Sequence, residues 1–337
     1  MVDLRSDTVT RPGPGMYEAM MTAPLGDDVY GDDETVNRLE QKTAKLLGKQ
    51  AGLFVASGTQ SNLIAMLSHC RRGEEVITAE KYHVSLSEAR GASVLGGIAI
   101  SPLQANKNGS LKPEQVSAAI KPDDPHYPIS RLLCLENTVS GTVQKPENIL
   151  ALCKAGRAGG LSLHLDGARL MNASVALGIA AAQLVEPFDS VSLCLSKGLG
   201  APVGSVLCGS NEFIHQARRN RKLLGGGMRQ AGILAACGLY ALEHNIDRLA
   251  DDHANAALLA EGLSAIECLN VRQQTNMVFV EIADDHAAGL QAGLLERGII
   301  ISAGYPVIRL VIHLDMSKSD IERVIDAITE FYNANPA

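Results

Sequence analysis

From residue 51 onward, short apolar runs alternate with stretches in which hydrophobic side chains recur every three or four residues. The runs 53–56, 75–78, 98–101, 132–135, 161–165, 191–195 and 205–208 read as short strands, most of them buried on both faces. Between them, 60–70, 83–90 and 148–155 carry helical periodicity. Strands interleaved with helices predict a mainly parallel sheet covered on both sides. In such sheets, ligands sit beyond the carboxyl ends of the strands.

The flanking regions differ. Residues 1–13 read as an extended arm ended by Pro12, Gly13, Pro14 and Gly15, with a helix over 16–22. Next comes Gly26-Asp27-Asp28-Val29-Tyr30-Gly31-Asp32-Asp33, which reads mostly as a solvated acidic loop, with Tyr30 the exception to watch. Its carboxylates can cap the following helix, where Val36, Leu39, Leu46 and Leu47 share a face until Gly48. After Gly225-Gly226-Gly227, long helices are predicted over 230–243 and 246–263, then strands over 277–281 and 307–312. Ser319-Asp320-Ile321-Glu322 reads as a capping box opening a helix with Ile321, Val324, Ile325 and Ile328 on one stripe. The expected division is a large domain over 1–247, arm included, and a small C-terminal α+β domain over 248–337. No internal repeat is visible.

Composition narrows the function. The 337 residues are 46% hydrophobic and 20% charged, as in ordinary globular proteins. A net charge of −7 leaves no electrostatic footprint for nucleic acid. Seven widely spaced cysteines without a CxxC favour neither a disulfide framework nor a zinc site. The opening residues lack a signal-peptide pattern, and no apolar run approaches the ~18 residues of a membrane span. The expectation is a soluble cytoplasmic protein without a metal.

Three predicted strand ends carry polar groups. Ala56-Ser57-Gly58-Thr59-Gln60-Ser61-Asn62 turns a strand into a helix through small residues, leaving backbone N–H groups to receive an anion such as phosphate. The same letters also make an ordinary helix cap. Neither GxxxxGK[ST] nor GxGxxG is satisfied. Asp166-Gly167-Ala168-Arg169 puts a carboxylate at a buried strand end, where it needs a partner: Arg169, or a protonated ring nitrogen. Ser196-Lys197 delivers a lysine into a loop with Gly198, Gly200, Pro202 and Gly204. That lysine either snorkels beside a turn or, if buried, becomes a nucleophile for carbonyls. A phosphate cradle, a carboxylate and an imine-forming lysine, in that order, are what pyridoxal 5′-phosphate (PLP) requires.

With these residues, the chain resembles the low-specificity L-threonine aldolases, PLP enzymes of the aspartate aminotransferase-like fold type I, over essentially its whole length. The likeness rests on 3–12 (DLRSDTVTRP), 26–31 (GDDVYG), 135–138 (LENT), 164–169 (HLDGAR), 196–199 (SKGL) and 225–230 (GGGMRQ). It implies an α/β large domain with a mainly parallel mixed sheet and a small C-terminal domain. It further implies that Lys197 holds PLP, Asp166 pairs with the pyridinium nitrogen, and Gly58 and Thr59 bind phosphate. Arg229 is expected to help with the phosphate from a neighbouring subunit, and His83 to stack on the ring. Ser6, Arg169 and Arg309 hold the substrate carboxylate, although a structural ion pair is the plainer reading of Arg309. Tyr30 reaches an adjacent subunit's site, so the resemblance implies a dimer with shared sites, and the family commonly forms tetramers.

The implied reaction is reversible retro-aldol cleavage of L-threonine, L-allo-threonine and other β-hydroxy-α-amino acids to glycine and an aldehyde. His83 and His126 are the candidates for the base at the β-hydroxyl, and His126 reads equally as a solvated loop histidine. Family members often have histidine where this chain has Val139, and an aromatic where it has Ser87, so substrate preference can differ. The other readings are an aminotransferase or β-eliminating lyase on the same fold, and a non-catalytic α/β scaffold.

Overall fold

A computed structural model describes residues 1–335; the last two residues of the expected C-terminal domain, 336–337, lie outside it. The chain begins with β1 (Val2–Asp3), α1 (Pro14–Met21), α2 (Glu34–Leu46), β2 (Ala51–Val55), α3 (Gly58–His69), β3 (Glu74–Ala79), α4 (His83–Leu86), α5 (Gly91–Gly96) and β4 (Ala99–Leu103). Then follow α6 (Pro113–Ala119), β5 (Ile129–Glu136), α7 (Pro146–Ala158), β6 (Ser162–Gly167), α8 (Leu170–Leu177), α9 (Ala181–Leu184), β7 (Ser190–Cys194) and β8 (Ser205–Gly209). The last third holds α10 (Asn211–Leu223), α11 (Gly232–His244), α12 (Leu249–Ser264), β9 (Asn270–Gln274), β10 (Met277–Glu281), α13 (Asp284–Glu296), β11 (Ile299–Ile300), β12 (Val307–Val311) and α14 (Lys318–Ala334).

The seven predicted strands form one sheet in the order β2-β8-β7-β6-β5-β3-β4. Only β8 runs against its neighbours. The carboxyl ends of β3, β5, β6 and β7 therefore share one edge, where Glu136 lies opposite Asp166 and Asp166 opposite Ser192. Leu133, Leu163, Leu165 and Val191 are fully or almost fully buried, as apolar strands between two helical layers must be. Beyond this sheet, β12-β10-β9 form an antiparallel three-stranded sheet.

Two apolar cores dominate. One surrounds the large sheet. The other joins the later turns of α12 to Val278, Leu290, Ile308, Val324 and Ile328, and it takes in Val2 and Leu4. The arm is thus built into the C-terminal region: β1 pairs in parallel with β11, and Leu4 C=O accepts from Val311 N–H.

Three local expectations are corrected. Helical structure over 83–90 stops at Leu86, because Ala89 and Arg90 take positive φ (51° and 55°) and turn Glu88 inward. The capping box lies two residues earlier than predicted: Ser317 Oγ accepts from Asp320 N–H, and Asp320 Oδ2 accepts from Ser317 N–H. The acidic loop is only partly solvated. Asp28 is buried against Arg221, while Asp33 caps α2 and also accepts from Gly232 N–H at 2.8 Å.

Candidate active site

Lys197 follows β7 in a tight loop closed by Gly200 N–H to Lys197 C=O (2.8 Å) and Ala201 N–H to Leu195 C=O (3.0 Å). Gly200 and Gly204 have φ of +77° and +103°, which side chains other than glycine rarely adopt, so this turn needs its glycines. The side chain is half-buried, and among the described residues it has no hydrogen-bond or ion-pair partner. Its charge is nevertheless felt by Asp7, His83 and Glu136. A half-buried amine without a partner among those groups is free to take up a carbonyl ligand.

Asp166 ends β6 with both carboxylate oxygens occupied by N–H donors. Asn62 Nδ2 donates to Oδ2 at 2.8 Å, and Ala168 N–H to Oδ1 at 3.0 Å. Arg169 is not its partner. That guanidinium turns to Asp7, with Nε–Oδ2 at 2.7 Å and Nη2–Oδ1 at 2.6 Å. Burial alone would raise the fully buried Asp7 carboxyl, yet Arg169 holds it below the usual range. Asn276 adds a third donor at 3.3 Å. Breaking a buried pair of this kind by removing one partner typically costs about 3–5 kcal/mol.

Ser6 caps the short 3₁₀ turn Asp7–Val9 that presents this acid, and its Oγ accepts from Thr8 N–H at 3.2 Å. Arg309, on β12, makes only a long contact to Arg5 C=O (3.4 Å) and has no carboxylate partner among the described residues. The structural ion pair is therefore not what holds it. Desolvation, then the like charge of Arg169, lowers its guanidinium. Two arginines within electrostatic reach of one aspartate, which only Arg169 pairs with, leave an excess of positive charge suited to an anionic ligand.

His83 opens α4. Its N–H donates to Glu136 Oε2 at 2.6 Å, and its Nδ1 meets Glu88 Oε1 at 2.7 Å. The bond to Glu88 raises the imidazole, while burial raises the Glu88 carboxyl. Burial, then the charge of Asp166, pushes Glu136 up as well. Single ligand-type atoms of His83, Glu88 and Asp166 lie within 4.8 Å of one another. The Asn62 amide donates to both carboxylates, one N–H to each.

Gly58 and Thr59 open α3, and their N–H groups have no acceptor within the helix. A Cβ on Gly58 would come within 3.7 Å of Ser205 Oγ, a buried hydroxyl without a partner. An anion at this helix start would meet free donors.

Three predicted residues are not brought to this cluster within one chain. Tyr30 is 78% exposed. Arg229 is also exposed and pairs with Asp27 at 3.0 Å, on a loop joined to that of Tyr30 by Asp28 N–H to Arg229 C=O. His126 is exposed, pairs with Asp124 at 2.6 Å, and precedes β5, at the opposite end of that strand from Glu136. Asp7, Asn62, Glu88, Glu136 and Asn276 join the site without having been singled out for it. Asp7 and Glu136 at least lay inside the motifs that carried the resemblance.

A cavity of about 850 Å³ lies elsewhere. It opens at the amino ends of β6 and β7, among Lys49, His69, Asp189, Phe213 and His215. Size does not mark the site here; the convergence of chemically matched groups does.

A family profile described as β-eliminating lyase matches residues 3–285. The low specificity L-threonine aldolase of Escherichia coli (strain K12) is 50% identical over 324 residues, 96% of this chain and 97% of that one. Low-specificity L-threonine aldolase 1 of Arabidopsis thaliana is 44% identical, covering 98% of this chain and 96% of its own. Among solved structures, a threonine aldolase from Leishmania major superposes with a TM-score of 0.83 at 22% identity, covering 98% and 99% of the two chains. Sphingomonas wittichii serine palmitoyltransferase superposes at 0.78 with 18% identity, covering 98% and 87%. These last two likenesses concern the fold.

Proposed function

The chain belongs to the low-specificity L-threonine aldolases, within the β-eliminating lyase family, and from that premise we propose how its own residues carry the reaction. The protein is a lyase that cleaves L-threonine and related β-hydroxy amino acids to glycine and an aldehyde, with PLP as cofactor. The residues fit the cofactor: an unpaired lysine, an acid at a strand end, and an open helix start beside the orphaned Ser205 hydroxyl. When bound, PLP supplies an aldehyde for Lys197 or the substrate amine and a ring that accepts the electron pair of the breaking Cα–Cβ bond.

In this proposal Lys197 is the covalent anchor, Asp166 accepts from the ring nitrogen, and Gly58 and Thr59 donate N–H groups to the phosphate. Arg309, Ser6 and Arg169 clamp the substrate carboxylate, which fixes which bond at Cα stands perpendicular to the ring. His83 stacks over the ring. Its Nδ1 is engaged by Glu88, so Nε2 is the atom left to take the β-hydroxyl proton. The raised imidazole makes it a stronger base in its neutral form. His126 is the second candidate, acting directly or through water. Tyr30 and Arg229 serve a neighbouring subunit's site, a reading supported by the exposure of both side chains in their own chain. The assembly proposed is a dimer with shared sites, paired into a tetramer.

The division proposed stays at 247/248; along α12 the apolar side chains pass from the large-sheet core at Leu249 to the second core from Ala256 on, and Val2 and Leu4 of the arm join that second core. No helix among the described residues is long and apolar enough to cross a membrane. Seven free cysteines, six of them buried, support a reducing cytoplasmic setting.

The observation that carries the reading is Lys197, unpaired among Asp7, His83 and Glu136 at the sheet's carboxyl edge. Aldehyde release from L-threonine and L-allo-threonine should depend on added PLP, and borohydride reduction should fix the cofactor to Lys197. Lys197→Ala should bring aldehyde release to background. A label on another lysine, or none, rejects the assignment. Because the matched profile is described as β-eliminating lyase, keto-acid release from L-serine is the reaction to measure beside it.

A further inference from the structure

Behind Asp166, a file of buried polar side chains runs the length of the sheet. His164 lies two residues before Asp166 on the same face of β6, and Ser190 is its register partner on β7. Asn62 and His69 lie seven residues apart on one face of α3, which packs over these strands. Asn62 Oδ1 meets His164 Nε2 at 3.2 Å, His164 Nδ1 meets Ser190 Oγ at 2.8 Å, and Ser190 Oγ meets His69 Nε2 at 2.7 Å. The file begins at the carboxyl-end site and ends at His69, on the rim of the large amino-end cavity.

Hydrogen counting gives this file a single direction. The Asn62 amide nitrogen faces two carboxylates, Asp166 at 2.8 Å and Glu88 at 2.8 Å, and spends both hydrogens on them. Its oxygen must then accept, so His164 Nε2 carries a hydrogen. Burial pushes His164 down to about 3 and His69 to about 4, so both rings are neutral near pH 7. A neutral ring with a hydrogen on Nε2 has an acceptor at Nδ1, which takes the one hydrogen of Ser190. Ser190 Oγ can then only accept from His69 Nε2–H. Every donor in the file points toward Asp166, and the reverse orientation would leave an amide oxygen facing two carboxylates.

We propose that Asn62 and His164 are positioning residues for Asp166, and that the one-way chain from His69 through Ser190 locks the Asn62 amide so that its two hydrogens hold Asp166 and Glu88 together. One amide thereby ties the acid assigned to the ring nitrogen to the acid that orients His83. This rests on the reading of Asp166 as the partner of the cofactor's ring nitrogen. Its consequence is that the ring nitrogen keeps its proton, because Asp166 is supplied with donors from the protein side and has no need of that hydrogen.

The test uses purified holoprotein loaded with PLP labelled at its ring nitrogen, read by the chemical shift of that nitrogen and by PLP affinity. In His164→Met, which fills the space without a donor, the signal should move toward the unprotonated position and PLP should bind up to about tenfold more weakly, the usual effect of losing one neutral hydrogen bond. His164→Gln, whose amide nitrogen can stand near the place of Nε2, should return both readings most of the way. Ser190→Ala removes one oxygen and carries the test if His164→Met does not fold; the signal should move the same way by less. An unchanged signal and affinity in the folded variants overturns the proposal, as does a His164→Gln protein no better than His164→Met. If wild-type protein itself shows an unprotonated ring nitrogen, or takes up PLP equally well after Asp166→Ala, the assignment of Asp166 falls instead.

Discussion

The floor of the site and its carboxylate clamp are built differently. Lys197, Asp166 and His83, with Asn62, Glu88 and Glu136, all hang from the large sheet and the helices beside it. They inherit the rigidity of one close-packed core. Ser6, Asp7, Arg169, Asn276 and Arg309 come from the arm, the end of β6, the β9–β10 turn and β12. Arg309 and its neighbour Arg5 are 304 residues apart. The clamp therefore depends on how two cores meet, and one buried carboxylate, Asp7, ties the parts together. On the proposed assignment, the floor would set the chemistry, and the clamp would set which substrate is held and how firmly.

Substitutions that strike the clamp should separate these contributions. Asp7→Asn should act most strongly: it leaves Arg169 buried without its counter-charge, costing about 3–5 kcal/mol in chemical denaturation. KM should rise more than kcat falls. The sign with pH follows from the lowered Asp7 carboxyl. Its contribution is present above the unfolded value of about 3.9 and is lost as pH falls through the lower folded value, so Asp7→Asn should lack that acid limb. A fall in kcat with KM unchanged would place Asp7 with the floor.

Arg309→Gln breaks no buried pair, so stability should stay within about 0.5 kcal/mol. The substrate's KM should increase about tenfold or more, the cost of a lost charged hydrogen bond. An unchanged KM would remove Arg309 from the clamp.

The smallest effect tests the floor. Glu136 has a raised carboxyl, so its favourable contribution is present below the unfolded value of about 4.3 and fades as pH rises through the higher folded value. Glu136→Gln keeps a neutral side chain there, and its melting temperature should decline less than wild type on the alkaline side. Parallel profiles would show that Glu136 does not titrate in that range.

The floor was also the more legible region. Lys197, Asp166, Gly58 and Thr59 stand at the ends of apolar strands or the starts of helices, positions that short-range patterning reveals. Asp7 and Asn276 carry no such local signal, because each becomes buried through partners far along the chain, and Glu88 is turned inward by a break in the helix that periodicity does not show. That break follows Leu86, where helical periodicity gives way so that Glu88 can reach His83 and Asn62. Burial of Asp28 against Arg221, 193 residues away, was equally invisible.

By itself, the order of residues determined the alternation of strands and helices, the edge formed by the strands' carboxyl ends, and the lysine and acid presented there. These follow from periodicity and turn chemistry over a few neighbouring residues. Only the tertiary structure decided that Arg169 turns to Asp7, that Asn62 stands between Asp166 and Glu88, and that Tyr30 is left exposed while Arg229 and His126 pair with Asp27 and Asp124 at the surface. A buried charge takes whichever partner the completed packing brings within hydrogen-bond reach, and distance along the chain does not settle that choice.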